Sequence, residues 1–232
     1  MLDYDREAAR YDATRGGLPR AVVAADAVRS LVAPGAVLLD VACGTGLVRG
    51  ELVRHGLRVF GVDASPGMAG VARGRIPVAV GEAARLPLPD ASVDAVSVIW
   101  LLHLLNDARP VIAECARVLR PGGMFLTTVD KARCFDDDLE PLLAPFREPT
   151  ATDDAALVTA EAARHGLVSS GEARFVGHGQ ARSPAGLAAS LRKGGWRFSP
   201  PASLYSAIAD LPGQDVPRTD PVYRILAFAL RG

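Results

Sequence analysis

The strongest constraint on the fold is a glycine-containing segment, residues 40–46, that lies between two apolar runs of different period. Residues 37–39 are continuously apolar, and residues 47–53 have the spacing of a helix. Gly44 and Gly46 lack a Cβ atom, so the backbone can take positive φ and a ligand can approach the main chain. The unpaired N–H groups of the following helix would face such a ligand. The segment therefore predicts a strand-to-helix turn, which suits either a nucleotide site or a tight turn alone.

Strand-like and helix-like segments alternate on both sides of this turn. The runs with strand character are residues 36–41, 57–62, 77–80, 93–99, 124–129, 168–176 and 223–230. Helix signals lie between them, such as Ser65-Pro66 at a start and Pro121-Gly122-Gly123 after an end. This alternation predicts an α/β fold with a Rossmann-like, doubly wound sheet of seven strands.

The pattern fits one domain over residues 1–232 rather than two. The first segment, to about residue 18, has amphipathic spacing. Two later stretches interrupt the alternation. Residues 131–152 are acidic and aperiodic, and residues 178–221 hold a short helical pattern and several aromatic residues. We expect both to form a cap, so the prediction is a single domain with a helical lid insertion.

Charge and cysteine content exclude several classes of partner. The 232 residues include 26 basic and 26 acidic side chains and no basic cluster, which argues against a nucleic-acid partner. Cys43, Cys115 and Cys134 are widely spaced, so they predict free thiols in a reducing compartment and no metal site. The charged N-terminus lacks the apolar core of a signal peptide, and no run is long enough to span a bilayer. These features predict a cytoplasmic protein without a membrane partner, and they leave the oligomeric state open.

Acidic residues follow the second and third predicted strands. Open α/β sheets bind ligands beyond the carboxyl ends of their strands, where Asp63 and Glu82 would lie near the glycine turn. A carboxylate at the end of the second strand can accept both hydroxyls of a ribose. Asp63 also fits a second role, which is to cap the helix that starts at Ser65-Pro66. Arg49 stands where a dinucleotide-binding fingerprint has a small residue, and no P-loop sequence occurs.

Five motifs in order carry a resemblance to a known family. They are residues 39–46, residues 61–65 with Met68, residues 81–89, residues 93–96 and residues 117–123. Over residues 4–131, approximately, the chain resembles the class I S-adenosylmethionine-dependent methyltransferases, in particular the small-molecule, methyltransferase type 11-like group. The resemblance implies a sheet whose last strand is antiparallel, and S-adenosyl-L-methionine as cofactor.

The resemblance also implies roles for cofactor-binding residues. Asp40 would reach the ammonium group of the cofactor, Asp63 the ribose, and Glu82 the exocyclic amine of the adenine. The family more often has aspartate where Glu82 stands. Tyr11 matches a tyrosine that folds over the cofactor, although it also fits simple packing at the domain edge. The complete cofactor set is Tyr11, Asp40, Ala42, Cys43, Gly44, Thr45, Gly46, Asp63, Ala64, Met68, Glu82, Ala83, Ile99 and Trp100.

A general base is needed if the methyl acceptor is a hydroxyl of high pKa, whereas an amine must only be in its free-base form. His103 and His178 are the candidate catalytic residues, because both follow predicted strands. Each also fits a simpler role, His103 as a structural or cofactor-positioning residue and His178 as a surface loop residue. Aromatic residues of the predicted lid would either sandwich an acceptor or seal the lid. The candidate substrate-binding residues are Trp100, His103, Asp130, His178, Trp196 and Tyr205.

The sequence therefore predicts an enzyme that moves a methyl group from S-adenosylmethionine to an oxygen or nitrogen atom of a small-molecule metabolite. We expect this metabolite to be a natural-product intermediate of bacterial secondary metabolism. Arginine outnumbers lysine and alanine is abundant, as in GC-rich bacterial genomes, but this composition indicates nothing about the chemistry. Two alternatives stay open. One is an NAD(P)-dependent oxidoreductase, and the other is a protein that keeps the fold without catalytic activity.

Overall fold

The computed structural model describes residues 3–147, 151–194, 196 and 198–232. Within these residues, one sheet contains seven strands in the order β3-β2-β1-β4-β5-β7-β6. The strands are β1 (Val37–Val41), β2 (Arg58–Asp63), β3 (Val78–Val80), β4 (Val93–Val98), β5 (Leu119–Val129), β6 (Leu167–Val176) and β7 (Val222–Leu230). This order confirms the predicted doubly wound sheet.

Pairing in the sheet is parallel from β3 to β5 and antiparallel around β7. Leu39 lies beside Phe60 of β2 and Val96 of β4 in parallel register. Thr127 of β5 lies opposite Leu226 of β7 in an antiparallel ladder. The antiparallel last strand is therefore confirmed. Because β1 to β4 are parallel, their carboxyl ends meet at one edge of the sheet.

Helices cover both faces of this sheet. They are α1 (Tyr4–Glu7), α2 (Tyr11–Thr14), α3 (Gly17–Arg29), α4 (Leu47–Arg54), α5 (Pro66–Ala72), α6 (Arg109–Val118), α7 (Glu140–Leu143), α8 (Ala155–Arg164), α9 (Pro184–Lys193) and α10 (Ala202–Ala209). Leu38 packs with α3 and α4, and its neighbour Leu39 packs with α6 and α8. Successive side chains of a strand point to opposite faces, so both residues are fully buried in two separate layers.

The fifth strand begins earlier than its apolar run indicates. We predicted a start at residue 124 after the Pro121-Gly122-Gly123 break, whereas β5 begins at Leu119. The register against β4 shifts between Val93 and Ala95. The break is therefore an irregularity within the strand, because Gly122 takes a φ of 79° and the chain continues in extended form.

The two stretches that interrupt the alternation pack against each other. Helix α7 comes from the first stretch, and α9 and α10 come from the second. Their apolar cluster consists of Leu139, Leu143, Leu187, Ala188, Leu191, Leu204 and Ile208. An ion pair of 2.7 Å between Arg218 and Asp138 also joins the stretches. We call this unit of α7, α9 and α10 the cap.

Parts of the predicted segments lie outside the described residues, namely 1–2 of the N-terminal segment and 148–150, 195 and 197 of the cap stretches. In the part that is described, every helix is too short or too polar to cross a membrane.

Candidate active site

A cavity of about 540 Å³ opens at the carboxyl edge of β1 to β4. Its volume lies in the usual range for small-molecule sites. Ends of these strands form its floor, and α1, α2 and the start of α3 form part of its wall. The predicted cofactor residues in the wall are Tyr11, Ala42, Cys43, Gly44, Thr45, Asp63, Ala64, Met68, Glu82, Ala83, Ile99 and Trp100. The structure thus brings most of the predicted cofactor set together.

The glycine turn after β1 has the backbone geometry that its sequence indicates. Gly44 and Gly46 have φ angles of 57° and 73°. A Cβ atom at Gly46 would lie 3.2 Å from the Cβ of Ala72, so this glycine allows α4 to pack closely on α5. In the described part of the chain, Gly44 lies in the cavity wall and Gly46 does not. Gly46 therefore serves the packing of the helices, and its predicted contact with the cofactor stays a prediction.

Asp63 ends β2 with its carboxylate oriented by two backbone donors. The N–H of Gly44 donates to Oδ2 at 2.7 Å, and the N–H of Ser65 donates to Oδ1 at 2.9 Å. Burial raises the pKa of the Asp63 carboxyl, and the two N–H donors partly oppose this shift. Ser65, rather than Asp63, caps α5 by accepting from the N–H of Met68 at 3.1 Å. Each carboxylate oxygen keeps a lone pair for a further donor, as a ribose diol would supply.

Asp40 lies beneath the turn and has protein partners. It is fully buried, and its Oδ1 accepts from the Arg49 guanidinium and, at 2.6 Å, from the Ser97 hydroxyl. Arg49 is in the cavity wall, whereas Asp40 is absent from the wall formed by the described residues. The predicted contact of Asp40 with an ammonium group stays untested, and the ion pair gives its carboxylate a different role. The Asp40 carboxylate neutralises the charge of Arg49. From the sequence, Arg49 was notable only as a departure from the dinucleotide-binding fingerprint.

Three residues that are not glycine take positive φ where β1, β4 and β5 end. They are Ala42 at 55°, Trp100 at 61° and Asp130 at 53°. Positive φ is costly for such residues and is typical of functional sites. The N–H of Trp100 donates to the Thr128 hydroxyl at 2.8 Å, which helps to hold this conformation. Trp100 therefore projects at the cavity from a fixed backbone position.

The N-terminal segment is fastened over the cavity by two aspartates that sequence reasoning missed. Asp12 accepts from the Thr45 hydroxyl at 2.5 Å and forms an ion pair of 2.8 Å with Arg75. Asp5 accepts from the Ser65 hydroxyl at 2.5 Å and from the N–H of Gly67 at 2.8 Å. These partners are distant in sequence, so only their charge and polarity could have indicated the contacts. They place Tyr11 in the cavity wall.

Neither candidate catalytic histidine is in the cavity wall formed by the described residues. His103 is half-buried in a short 3-10 turn, Leu102–Leu104, whose neighbours Leu101, Leu104 and Leu105 do line the cavity. The His178 side chain is 45% exposed, and its Nδ1 lies 3.9 Å from Asp220. The prediction that these histidines face the acceptor stays a prediction, since the described wall is formed by their neighbours and by other residues.

Asp130, Trp196 and Tyr205 are likewise absent from the wall in the described part of the chain. Asp130 accepts from the N–H of Ala155 at 3.2 Å, so it supports the start of α8. Trp196 and Tyr205 pack on the apolar cluster of the cap. This packing supports the alternative that the two aromatic residues seal the cap, and the predicted contacts of all three residues with substrate stay predictions. Of the predicted substrate residues, Trp100 alone lies in the described wall.

The cysteine thiols at and near this site are not ionised. Burial raises the pKa of Cys43, which lines the cavity, to about 12 and that of Cys134 to about 11. Both are neutral at physiological pH, and neither is a nucleophile of the reactive kind. Among the described residues, no group of His, Cys, Asp and Glu has the arrangement of a metal site.

The sheet order, the antiparallel β7 and the cavity at the carboxyl edge define the class I methyltransferase fold. Residues 39–127 match the family model described as "Methyltransferase domain". The chain therefore has the class I methyltransferase fold, and its residues 39–127 are similar to the methyltransferase domain that this family model describes.

Curated relatives match mainly this core. A probable S-adenosylmethionine-dependent methyltransferase of Mycolicibacterium smegmatis is 36% identical over 115 residues, which are 48% of this chain and 45% of that protein. A ubiquinone/menaquinone biosynthesis C-methyltransferase of Caulobacter vibrioides is 36% identical over 143 residues, which are 53% of this chain and 57% of that protein. The chain thus spans about half the length of these relatives.

Solved structures match the whole chain at low identity. A [4+2]-cyclase has a TM-score of 0.65 at 23% identity, with 98% of this chain and 93% of that chain covered. A TehB-like S-adenosylmethionine-dependent methyltransferase of Corynebacterium glutamicum has a TM-score of 0.58 at 16% identity, with 98% of both chains covered. At such identities the likeness shows the fold alone.

Proposed function

We propose that this protein binds S-adenosylmethionine in the cavity and transfers its methyl group to a small-molecule acceptor. The observation that carries the proposal is the Asp63 carboxylate, which Gly44 and Ser65 hold at the end of β2 with lone pairs left for a ribose diol. The acidic Glu82 lines the same cavity at the end of β3, where an adenine amine would be its partner.

The residues of the cavity wall fit both the nucleoside and the amino-acid part of this cofactor. The nucleoside would lie between Asp63 and Glu82, with Ala64 and the buried Met68 against the adenine face. The amino-acid part would lie over Gly44, where the absence of a Cβ leaves the main chain open. When bound, the cofactor supplies an electrophilic methyl group on a sulfonium. The protein needs to align the acceptor with that carbon and to exclude water.

Residues at the end of β4 would supply this alignment. Ile99 is buried and apolar, and Trp100 is fixed by its bond to Thr128. Leu101, Leu104 and Leu105 extend the apolar wall beside them. This wall would keep water from the reacting atoms.

In this proposal the methylated atom is an oxygen or nitrogen of a metabolite, such as a natural-product intermediate. With both histidines outside the described wall, the acceptor would arrive in its nucleophilic form, as a free amine or an ionised hydroxyl of low pKa. The proposal includes a cytoplasmic location, because free thiols such as those of the three cysteines persist in a reducing compartment.

Calorimetric titration tests the proposal. Wild-type protein should bind S-adenosylhomocysteine and show no heat with NAD⁺ or NADP⁺. D63A should lose at least tenfold in affinity for S-adenosylhomocysteine, because a charged acceptor of two hydrogen bonds is removed. D26A, an exposed aspartate of α3, is the control and should bind as the wild type does. Binding of the dinucleotide alone would overturn the proposal in favour of an oxidoreductase.

A further inference from the structure

Arg20 is a buried cation in the cavity wall. It lies on α3, it is 6% exposed, and it lines the cavity. Its Nη1 donates to the carbonyl oxygen of Arg15 at 2.7 Å, while its Nε is buried without a partner among the described residues. A buried guanidinium with an unpaired donor is costly, so this arrangement indicates a partner that the protein itself does not supply.

The charged surroundings of Arg20 contain no counter-charge in the part of the chain that is described. The ionisable groups that act on it are Tyr223, Tyr11, Arg15, Cys134 and Lys131. Burial raises the pKa of Tyr223 to about 12, so its hydroxyl is neutral. Arg49, by contrast, already has Asp40 as its partner. Arg20 is therefore a cation of the cavity wall that lacks an anion.

An aromatic ring fixes the guanidinium in place. The Cζ of Arg20 lies 3.5 Å from the centroid of the Trp100 ring, which is close for a cation–π contact. Trp100 packs in turn on Phe175 and Tyr223, with ring centroids 5.7 and 5.4 Å away. The indole Nε1 of Trp100 is a second buried donor without a partner among the described residues. Two unused donors thus belong to one stack.

This stack lies on the β4 side of the cavity. Trp100 follows β4, which neighbours β1 on the side away from β2 and β3. Asp63 and Glu82 follow β2 and β3, so the proposed nucleoside end is on the opposite side of the glycine turn. The apolar Leu101, Leu104 and Leu105 also lie on the Trp100 side.

We propose that Arg20 and Trp100 bind the anionic group of the methyl acceptor, and that the acceptor is a small organic carboxylate with an apolar, preferably aromatic, body. Burying a carboxylate requires a paired charge and satisfied hydrogen bonds, which the guanidinium and the indole N–H provide. The apolar wall would hold the body of the molecule. This inference rests on the proposed function, because it assigns the cofactor to the other end of the cavity.

Benzoate and its neutral isostere benzamide are the probes. W196F leaves Trp100 as the sole tryptophan of the chain, so its fluorescence reports binding at the stack. With S-adenosylhomocysteine bound, W196F should bind benzoate at least tenfold more tightly than benzamide. R20Q in this background should lose roughly 10- to 100-fold in benzoate affinity and leave benzamide unchanged, since only the charged probe pairs with Arg20.

Two variants control for charge and folding. R29Q removes an exposed arginine of the same helix and should keep the benzoate preference. R20K keeps the charge and should retain a preference for benzoate, and melting curves check that each variant is folded. Equal affinity of W196F for both probes, or an unchanged preference in R20Q, would overturn the proposal. The comparison of the two probes in W196F does not depend on R20Q, so a misfolded R20Q still leaves a decisive result.

Titration with cofactor analogues distinguishes two ligands that could supply the carboxylate bound by Arg20, the acceptor and the cofactor itself. R20Q should bind S-adenosylhomocysteine and methylthioadenosine as the wild type does. If R20Q weakens the first and spares the second, Arg20 holds the amino-acid carboxylate of the cofactor and the inference is wrong. If wild-type protein binds no S-adenosylhomocysteine, the proposed function fails, and benzoate titration of the free protein then tests Arg20 on its own.

Discussion

At the scale of single residues, the cavity combines anions and cations that have different degrees of pairing. Asp63 is buried and accepts from two backbone N–H groups, and Asp40 is buried and paired with Arg49. Arg20 has a ring contact and a carbonyl partner but no carboxylate among the described residues. The unpaired members of this set are the groups whose removal should change ligand binding more than folding.

Cofactor affinity should depend on pH through Asp63. Burial raises the pKa of its carboxyl in the free protein, and a ribose diol favours the ionised form. The affinity for S-adenosylhomocysteine is therefore complete above this raised pKa, and it falls as the pH decreases through it. The fall should begin at a higher pH than the usual aspartate value of about 3.9 would give.

Calorimetry of wild type and D63N between neutral and acidic pH measures this dependence. D63N should bind weakly at every pH, with a flat profile over the range in which the wild type loses affinity. A wild-type profile that is flat down to the unfolding pH would contradict the role of Asp63.

At the scale of elements, the contact of β1 with α4 depends on a buried ion pair. Asp40 lies near the end of β1, beside Gly61 of β2, and Arg49 is in the first turn of α4. Burial lowers the pKa of Arg49 to about 9, which leaves it protonated at neutral pH. The pair thus orients the helix whose N-terminus faces the cavity.

Removing one partner should be much worse than removing both. R49M leaves the Asp40 charge buried and unpaired, which should cost about 3–5 kcal/mol of unfolding free energy. D40N/R49M removes both charges and should recover most of that loss. Urea denaturation of the two variants measures the difference. A double variant as unstable as R49M would show that packing, rather than the charge pair, determines the stability here.

At the scale of the whole molecule, the cap and the cavity are separate units of structure. The cap has its own apolar cluster, and none of α7, α9 and α10 contributes to the described cavity wall. The N-terminal segment, fastened by Asp5 and Asp12, covers the cavity instead. Cofactor binding should therefore be insensitive to the stability of the cap.

L191A tests this separation. Leu191 is 2% exposed within the cap cluster, and its truncation should cost about 2–5 kcal/mol of local stability. Hydrogen exchange in α9 and α10 should accelerate, while the affinity for S-adenosylhomocysteine stays within about twofold of the wild type. L52A, on α4 in the main core, is the comparison and should destabilise the whole domain. A large loss of affinity in L191A would show that the cap supports the cofactor site.

Sequence by itself determined the seven-strand fold and much of the cavity wall, including the glycine turn and Asp63. These depend on local features, since periodicity, turn residues and the order of parallel strands place strand ends at one edge. It did not indicate that His103, His178, Asp130, Trp196 and Tyr205 lie outside the described cavity wall, because the position of a residue in the sequence does not give the direction of its side chain.

The tertiary structure decided which charges meet. Asp12 and Thr45 are 33 residues apart, and Arg20 contacts a tryptophan 80 positions later in the chain, counted from 20 to 100. No local pattern encodes such pairs, because their energies depend on distance and burial after the chain has folded. The fold was therefore readable from the order of the segments, whereas the proposed anion site at Arg20 became visible only in the folded protein.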